Sequence, residues 1–319
     1  MSLLSLIAAL LLEQMHPLHA RKYLYVWMRS YADFFQQHFN AGEQKHGKIA
    51  WLLAVLLPLL VRVLRLPADR RTPLLVTVPL YWALAAQHVI FAWAFCVLVL
   101  YLTMGFRQFS HYFTDIHKAL RDNDLEQARS LLAAWRHAPG DELSAEEIAR
   151  LSIEQALLAA HRNVFGVVVW FVIFMLLGLG PIGAILYRLA QFLNYRWGQQ
   201  HGPEMGDFGV FAARIYRVVE WLPMRLVAST FAIVGDFEDA VYCWRNQAQQ
   251  WPDPEAGIVL ASGAGALGVR LGMSIVQEGE LLERPEVGVG DEADADYMQS
   301  TIGLVWRALV FWLIALLLL

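Results

Sequence analysis

Charge is scarce in this chain. Asp, Glu, Lys and Arg supply 17% of its 319 residues, against about a quarter in a soluble domain. The shortfall argues against an ordinary solvated globule. No Lys/Arg-rich block is present and the net charge is −4, so there is no electrostatic footprint for nucleic acid. Cysteine is scarcer still. Cys96 and Cys243 make neither a disulfide framework nor a C-x-x-C metal pair, and both read as small apolar residues. No internal repeat or long low-complexity segment is visible. No basic residue precedes the first apolar run, Ser2–Leu12, so the n-region of a signal peptide is missing. That run stops at Glu13, short of the about 20 residues a span needs. It reads as a short or partly re-entrant membrane helix.

Apolar surface is what the chain has in excess. Hydrophobic residues make up 57%, 12 of them Trp, the mean hydropathy is +0.41, and Trp favours membrane–water interfaces. The sequence predicts an all-α polytopic membrane helical bundle of about five or six membrane segments, some broken or re-entrant, with cytoplasmic amphipathic helices. The expected organisation is N-terminal membrane segments with an amphipathic insertion over 1–105, a cytoplasmic helical insertion over 106–163 and central membrane segments over 164–235. A cytoplasmic Gly-rich region over 236–301 and a C-terminal span over 302–319 complete it. His16 and His19 flank Pro17 with no acid or Cys at ligand spacing, so no metal site is expected there.

Within that plan Ile49–Leu66 is a span with Pro58 inside it and Arg62 and Arg65 at its end. Leu74–Phe106 is too long for one straight crossing: it is either one tilted helix or a short helix followed by a span over Val89–Met104, broken at Gln87 and His88. Arg107–Asn163 reads as two amphipathic helices, with capping-box spacing at Asp124/Gln127 and Ser144/Glu147. Val164–Leu193 is interrupted by Gly178, Gly180, Pro181 and Gly183, which predicts a broken helix or tight hairpin. Ala212–Val234 carries Arg214, Arg217, Glu220 and Arg225, so its charges must be paired or interfacial; each costs roughly 2.5–3.5 kcal/mol at a bilayer centre. Phe237, Val241 and Trp244 mark one side of an amphipathic segment, Asp236–Asp253. Basic residues concentrate in 13–48, 106–162 and 236–301, which the positive-inside rule places in the cytoplasm.

Gly257–Gly272 contains Gly263, Gly265 and Gly268 as G-x-G-x-x-G. A dinucleotide-binding turn would need a preceding strand, a following helix and a ribose-binding acid about 20 residues on. Glu278–Gln299 is acidic and nearly strandless instead. The plainer reading is a Gly/Ala helix or turn whose missing Cβ atoms let backbones approach closely.

Five segments together resemble the CobD/CbiB family of integral membrane proteins, with the AmpE proteins as a diverged branch. They are Leu120–Arg129, Glu147–Glu154, Trp221–Leu226, Gly263–Gly272 and Glu283–Gly288, in family order, from about residue 105 onward; 1–66 match only through His16-Pro17. The resemblance implies joining of an aminopropanol-type amine to a cobyric acid side chain, with ATP and Mg²⁺. The departures follow a chemical direction. An early family Asp-containing pattern is Glu13-Gln14-Met15-His16-Pro17 here, a Glu-Asn pair falls on Leu158 and Ala159, and an Asp on Arg162. Asn-Thr-Leu-Asp falls on Gln191–Asn194, Gly-Arg-Asp on Trp135–His137, and Ser-Pro-Asn on Asp253–Glu255. The frame is kept while acids suited to Mg²⁺ are lost.

Two readings follow from the resemblance. In the first the chain is an AmpE-like regulatory or accessory member with a degenerate site and no cofactor. In the second it is a working amide synthase using Mg²⁺ and ATP. A transporter, or an accessory subunit of a larger membrane complex, is a third. The candidate ligand pocket comprises Glu154, Arg136, Asn194, Glu255, Gly263, Gly265, Gly268 and Arg270, with no metal ligand assigned. The expected partners are the lipid bilayer of the bacterial inner membrane and other membrane proteins.

Overall fold

The computed structural model describes residues 2–15, 21–60, 77–138, 140, 142–199, 205–277 and 279–318. In chain order its helices are α1 (Ser2–Met15), α2 (Arg21–Phe39), α3 (Gln44–Leu60), α4 (Thr77–Gln87), α5 (Val89–Thr103), α6 (Phe106–Arg121) and α7 (Leu125–Arg136). Then come α8 (Ala145–Ala160), α9 (Gly166–Leu176), α10 (Ile182–Leu193), α11 (Val210–Val234), α12 (Phe237–Gln247), α13 (Pro254–Leu267) and α14 (Ala295–Leu317). Four short strands, β1 (Val269–Arg270), β2 (Ile275–Gln277), β3 (Glu280–Leu282) and β4 (Asp291–Glu292), lie between α13 and α14. The fold is helical, and the stretch read as nearly strandless carries β3 and β4. β1 pairs with β4 in parallel and β2 with β3 antiparallel.

Local chemistry sets most of the boundaries. His88 separates α4 from α5, its Nδ1 accepting from the Ile90 N–H at 3.2 Å, so Leu74–Phe106 contains two helices rather than one tilted one. The expected break after Leu176 is present, with Gly178 and Gly180 at positive φ and Pro181 before α10. The insertion after residue 105 contains three helices rather than two. Asp124 caps α7 by accepting from the Gln127 N–H at 3.0 Å, and α8 starts at a complete capping box. There Ser144 Oγ accepts from the Glu147 N–H at 3.2 Å, and Glu147 Oε2 accepts from the Ser144 N–H at 2.8 Å. Ser144→Ala is expected to cost about 1 kcal/mol of stability and Ser144→Asp much less, read from denaturant unfolding of the purified protein.

Two compact units are present: Met1–Met104 with Gly166–Glu220, and Gly105–Phe165 with Trp221–Leu319. In the first, Tyr31 donates to the Ala54 carbonyl at 2.8 Å and ties α2 to α3, over a core that includes Phe35, Ala50, Leu193, Trp197 and Phe208. α9 and α10 approach so closely that a Cβ on Gly183 would lie 2.1 Å from the Trp170 carbonyl oxygen. Glu220 of α11 is buried and accepts from Tyr187 at 2.7 Å and from Tyr216. One of the costly charges of that helix is therefore hydrogen-bonded by two phenols.

In the second unit α8 packs on α6, α7, α13 and α14, and α12 packs on α13. The buried face of α12 is Ala240 and Cys243, not the Phe237/Val241/Trp244 stripe; Phe237 is exposed. Small residues are buried there because the backbone of α13 comes too close to admit aromatic ones. Trp312 of α14 donates to Thr230 Oγ1 of α11 at 2.8 Å. α14 begins at Ala295, capped by Asp294, seven residues before the expected Ile302.

By length and composition, two helices among the described residues suffice to cross a membrane: the continuous run Ala145–Leu176 of 32 residues and α14 of 23. Ser2–Met15 and Val89–Thr103 are apolar but shorter. The expected span Ile49–Leu66 is helical to Leu60, and residues 61–66 lie outside the described residues, as do His16, Pro17 and His19.

Candidate functional site

Glu154 and Arg150 sit one helical turn apart on α8, which puts them on the same face. Both are buried, at 7% and 6% exposure. A carboxylate taken out of water must be paired and hydrogen-bonded to persist as an ion, and Glu154 is both. Its Oε1 accepts from the Gly272 N–H at 2.9 Å, and its Oε2 accepts from Arg284 Nη2. The Arg284 guanidinium lies 5.2 Å from the Trp251 ring centroid, within cation–π range.

Two more arginines face the same charge. Arg136 closes α7 and feels both Glu154 and Arg284. Burial pulls its pKa below the usual guanidinium range, Glu154 pushes it back up, and Arg284 lowers it again. Arg150 interacts with Glu154 and Arg284 too, and its guanidinium is 4.0 Å from Glu147. Arg284 is thus ion-paired with the buried carboxylate, and Arg136 and Arg150 lie within electrostatic range of it. Arg150 Nε and Arg284 Nη1 are buried without an acceptor. A buried donor left unmade costs about 1–3 kcal/mol, so the site has capacity for an anionic oxygen.

Backbone geometry holds this node together. Gly272 has φ +79, and a Cβ there would lie 1.9 Å from the Pro285 carbonyl oxygen. Next to it Leu271 and Val287 exchange hydrogen bonds of 2.7 and 3.0 Å. The Gln247 amide clamps Gly288, accepting from its N–H at 2.6 Å and donating to its carbonyl at 3.1 Å. Three of the five sequence segments, Glu147–Glu154, Gly263–Gly272 and Glu283–Gly288, meet here.

The sequence-derived candidates do not all share this place. Glu154 and Arg136 are in it. Arg270, on β1, makes surface ion pairs with Glu286 at 3.8 Å and Glu292 at 3.3 Å. Gly263 and Gly265 lie inside α13, and Gly268 caps its C-terminus at φ +66. Among the described residues no strand precedes them, in agreement with the plainer reading of the sequence: these glycines serve helix packing and termination. Glu255 lines a separate cavity of about 450 Å³. Asn194 is buried, begins a π turn and belongs to the other compact unit. Arg150, Arg284 and Gly272 were missed as site residues. The Arg150/Glu154 helical spacing was the available signal; Arg284 had none, because its partner lies 130 residues away.

The described residues of this node do not form a ligand set for Mg²⁺. Both Glu154 oxygens are engaged, and among the described residues no three or more His, Cys, Asp or Glu side chains are grouped to hold a metal ion. Ala159 is a buried apolar residue, and Arg162 lies 4.0 Å from Asp253.

Fold and site together define a helical protein with membrane-capable helices and a buried guanidinium–carboxylate node built from the chain's most distinctive segments. The chain belongs to the CobD/CbiB family: the family profile described as CobD/Cbib protein matches residues 6–305. It is 36% identical over 318 residues to the Cobalamin biosynthesis protein CobD of Stutzerimonas stutzeri, covering 98% of this chain and 96% of the relative. A protein of the same name from Chromobacterium violaceum is 36% identical over 216 residues, 68% of this chain and 67% of the relative. The Cobalamin biosynthesis protein CbiB of Salmonella typhimurium is 26% identical over 228 residues, 69% of each. No solved structure matches.

Proposed function

We propose that this chain works in cobalamin biosynthesis from the bacterial inner membrane, as a multi-pass protein, by binding an anionic group of its substrate at Arg136, Arg150 and Arg284. The observation that carries this reading is the pair of buried guanidinium nitrogens without an acceptor, Arg150 Nε and Arg284 Nη1, beside a single neutralised carboxylate. The names of the relatives point to the same pathway. The step is the family's amide formation: ATP activates a corrin carboxyl side chain, the amine nitrogen bonds to its carbonyl carbon, and the activated oxygen leaves with the phosphoryl group while the amine loses a proton. Fixed guanidiniums can hold a carboxylate or phosphate and stabilise negative charge that grows on its oxygens. In this reading arginine does the charge-balancing that carboxylate-bound Mg²⁺ would otherwise supply.

Complementation tests it. In a strain lacking its own CobD/CbiB protein, the wild-type chain should restore cobalamin-dependent growth on cobyric acid. Arg150→Ala should not, while added cobinamide rescues both. A wild-type chain that reaches the membrane at normal level and restores nothing would overturn the reading.

The full engagement of Glu154, with Leu158 and Ala159 where the family places polar residues, favours a second reading: a regulatory or accessory member of AmpE type that has kept the frame. That outcome is the one in which complementation fails while deletion of the gene in its own host alters another membrane-linked phenotype.

A further inference from the structure

The second unit contains a cavity that the reading above leaves without a task. It lies between α11, α12 and the N-terminal turn of α13, has a volume of about 450 Å³, and is lined by Trp221, Arg225, Trp244, Arg245, Glu255 and Ile258 among others. That size is ordinary for a small-ligand site. Arg225 lies over the Trp221 ring, 4.4 Å from its centroid, and donates to the Trp221 carbonyl at 3.0 Å. That bond uses one of five guanidinium donors, so the group is held over an indole with donor capacity remaining. Arg245 enters the wall from the last turn of α12. Against these two cations stands one carboxylate, Glu255, leaving the cavity net positive.

The apolar part of the lining has a distinct character. Trp221 is 55% exposed, and the same two helices expose Leu226, Phe237 and Tyr242. Tryptophan beside arginine, with apolar side chains on the outer surface, is the composition of a membrane–water interface, where indoles sit at headgroup level and long cationic side chains reach toward it. A free phosphate would need the cations and gain nothing from the indoles and the apolar surface. We propose that this cavity binds the phosphate of an anionic phospholipid, with Arg225 and Arg245 on the phosphate and the exposed apolar side chains against the acyl chains. The inference rests on the membrane placement given above, and it is independent of the cobalamin step.

The experiment uses the full chain in detergent, with phosphatidylglycerol, phosphatidylcholine and inorganic phosphate as probes, and native mass spectrometry as the readout. Wild type should retain phosphatidylglycerol in preference to phosphatidylcholine. The double variant Arg225→Ala/Arg245→Ala should hold phosphatidylglycerol about tenfold less tightly, with phosphatidylcholine unchanged. Arg225→Lys/Arg245→Lys, which keeps the charge, should fall between them. Glu255→Gln, which removes the opposing charge, should retain more phosphatidylglycerol than wild type, and it keeps the test decisive should the alanine variant fail to fold. Millimolar inorganic phosphate should not displace the lipid. Equal retention of the two lipids by wild type, unchanged retention in a folded double variant, or no gain in Glu255→Gln would overturn the proposal. Displacement by phosphate would assign the cavity to a soluble phosphate compound and overturn the lipid. A chain that does not fractionate with membranes at all would instead remove the placement on which the inference rests.

Discussion

Arg284→Ala is expected to lower the stability of the protein by about 3–5 kcal/mol, the usual penalty for breaking a buried ion pair by removing one partner. The size follows from what is left behind rather than from the bond lost. Glu154 is 7% exposed, so without Arg284 its Oε2 loses its charged partner in a place water does not readily reach. Arg136 and Arg150 remain nearby, which holds the expected cost toward the lower end of that range. Glu154→Leu alone should also destabilise, because it leaves Arg284 without its carboxylate, within range of two further guanidiniums, and the Gly272 N–H without its acceptor. The double variant Glu154→Leu/Arg284→Ala should be more stable than the sum of the two losses, with a coupling of about 1–3 kcal/mol in the double-mutant cycle. Denaturant unfolding of the four proteins in detergent gives the cycle. Complementation by the double variant then separates fold from function: it should fold and yet fail to restore growth, since the anion-binding cations have been reduced. A loss under about 1 kcal/mol for Arg284→Ala would mean the pair behaves as a solvated surface bridge, and the account of a dry node would be wrong.

The parts of this architecture that the sequence revealed are those whose cause is local. Ser144 and Glu147 are three residues apart and satisfy each other's backbone donors, so the start of α8 is written in four positions. His88 interrupts an apolar run, and the glycines between Leu176 and Ile182 allow the positive φ values of the turn there. The dinucleotide-like spacing of Gly263, Gly265 and Gly268 was ambiguous because small residues at i, i+2 and i+5 suit a phosphate turn and a crowded helix equally. Only the partner decides: Asp239 backbone faces Gly265 and a Leu157 side chain faces Gly263. The site itself was legible in halves. Glu154 and Arg136 could be singled out by type and position, but a search for acids that might hold a cation looks past arginines. The node proved to be one acid among several arginines, one of which joins it from a β3–β4 connection far along the chain. Glu255 and Arg270 share segments with site residues in sequence and stand apart in space, since spacing along a strand or at a helix start does not report which neighbour a side chain meets.

That distinction between a packed helix and a ligand turn fixes the order of effect in the three glycines. A Cβ on Gly265 would lie 2.4 Å from the Asp239 carbonyl oxygen and 2.6 Å from the carbon behind it. Both are backbone atoms of the adjoining α12, and neither can rotate away, so α12 and α13 must separate along their whole contact. Gly265→Ala should therefore cost about 3 kcal/mol, at the upper end for overpacking. Gly268 meets nothing within 4 Å, but its φ of +66 is one that L residues avoid, and Gly268→Ala should cost about 1–2 kcal/mol. On Gly263 the nearest atom, at 2.8 Å, is Leu157 Cδ1, the end of a flexible side chain. The leucine can shift, and alanine gains about 0.5–1 kcal/mol over glycine inside a helix, so Gly263→Ala should be close to neutral. Unfolding midpoints in detergent should thus fall in the order Gly263→Ala, Gly268→Ala, Gly265→Ala. If these glycines cradled a phosphate, all three substitutions would leave the unliganded midpoint nearly alone and weaken binding instead. A flat stability series with a graded loss of ligand would restore the turn reading, because only contact with a missing ligand, and not contact with α12, could then account for the three positions.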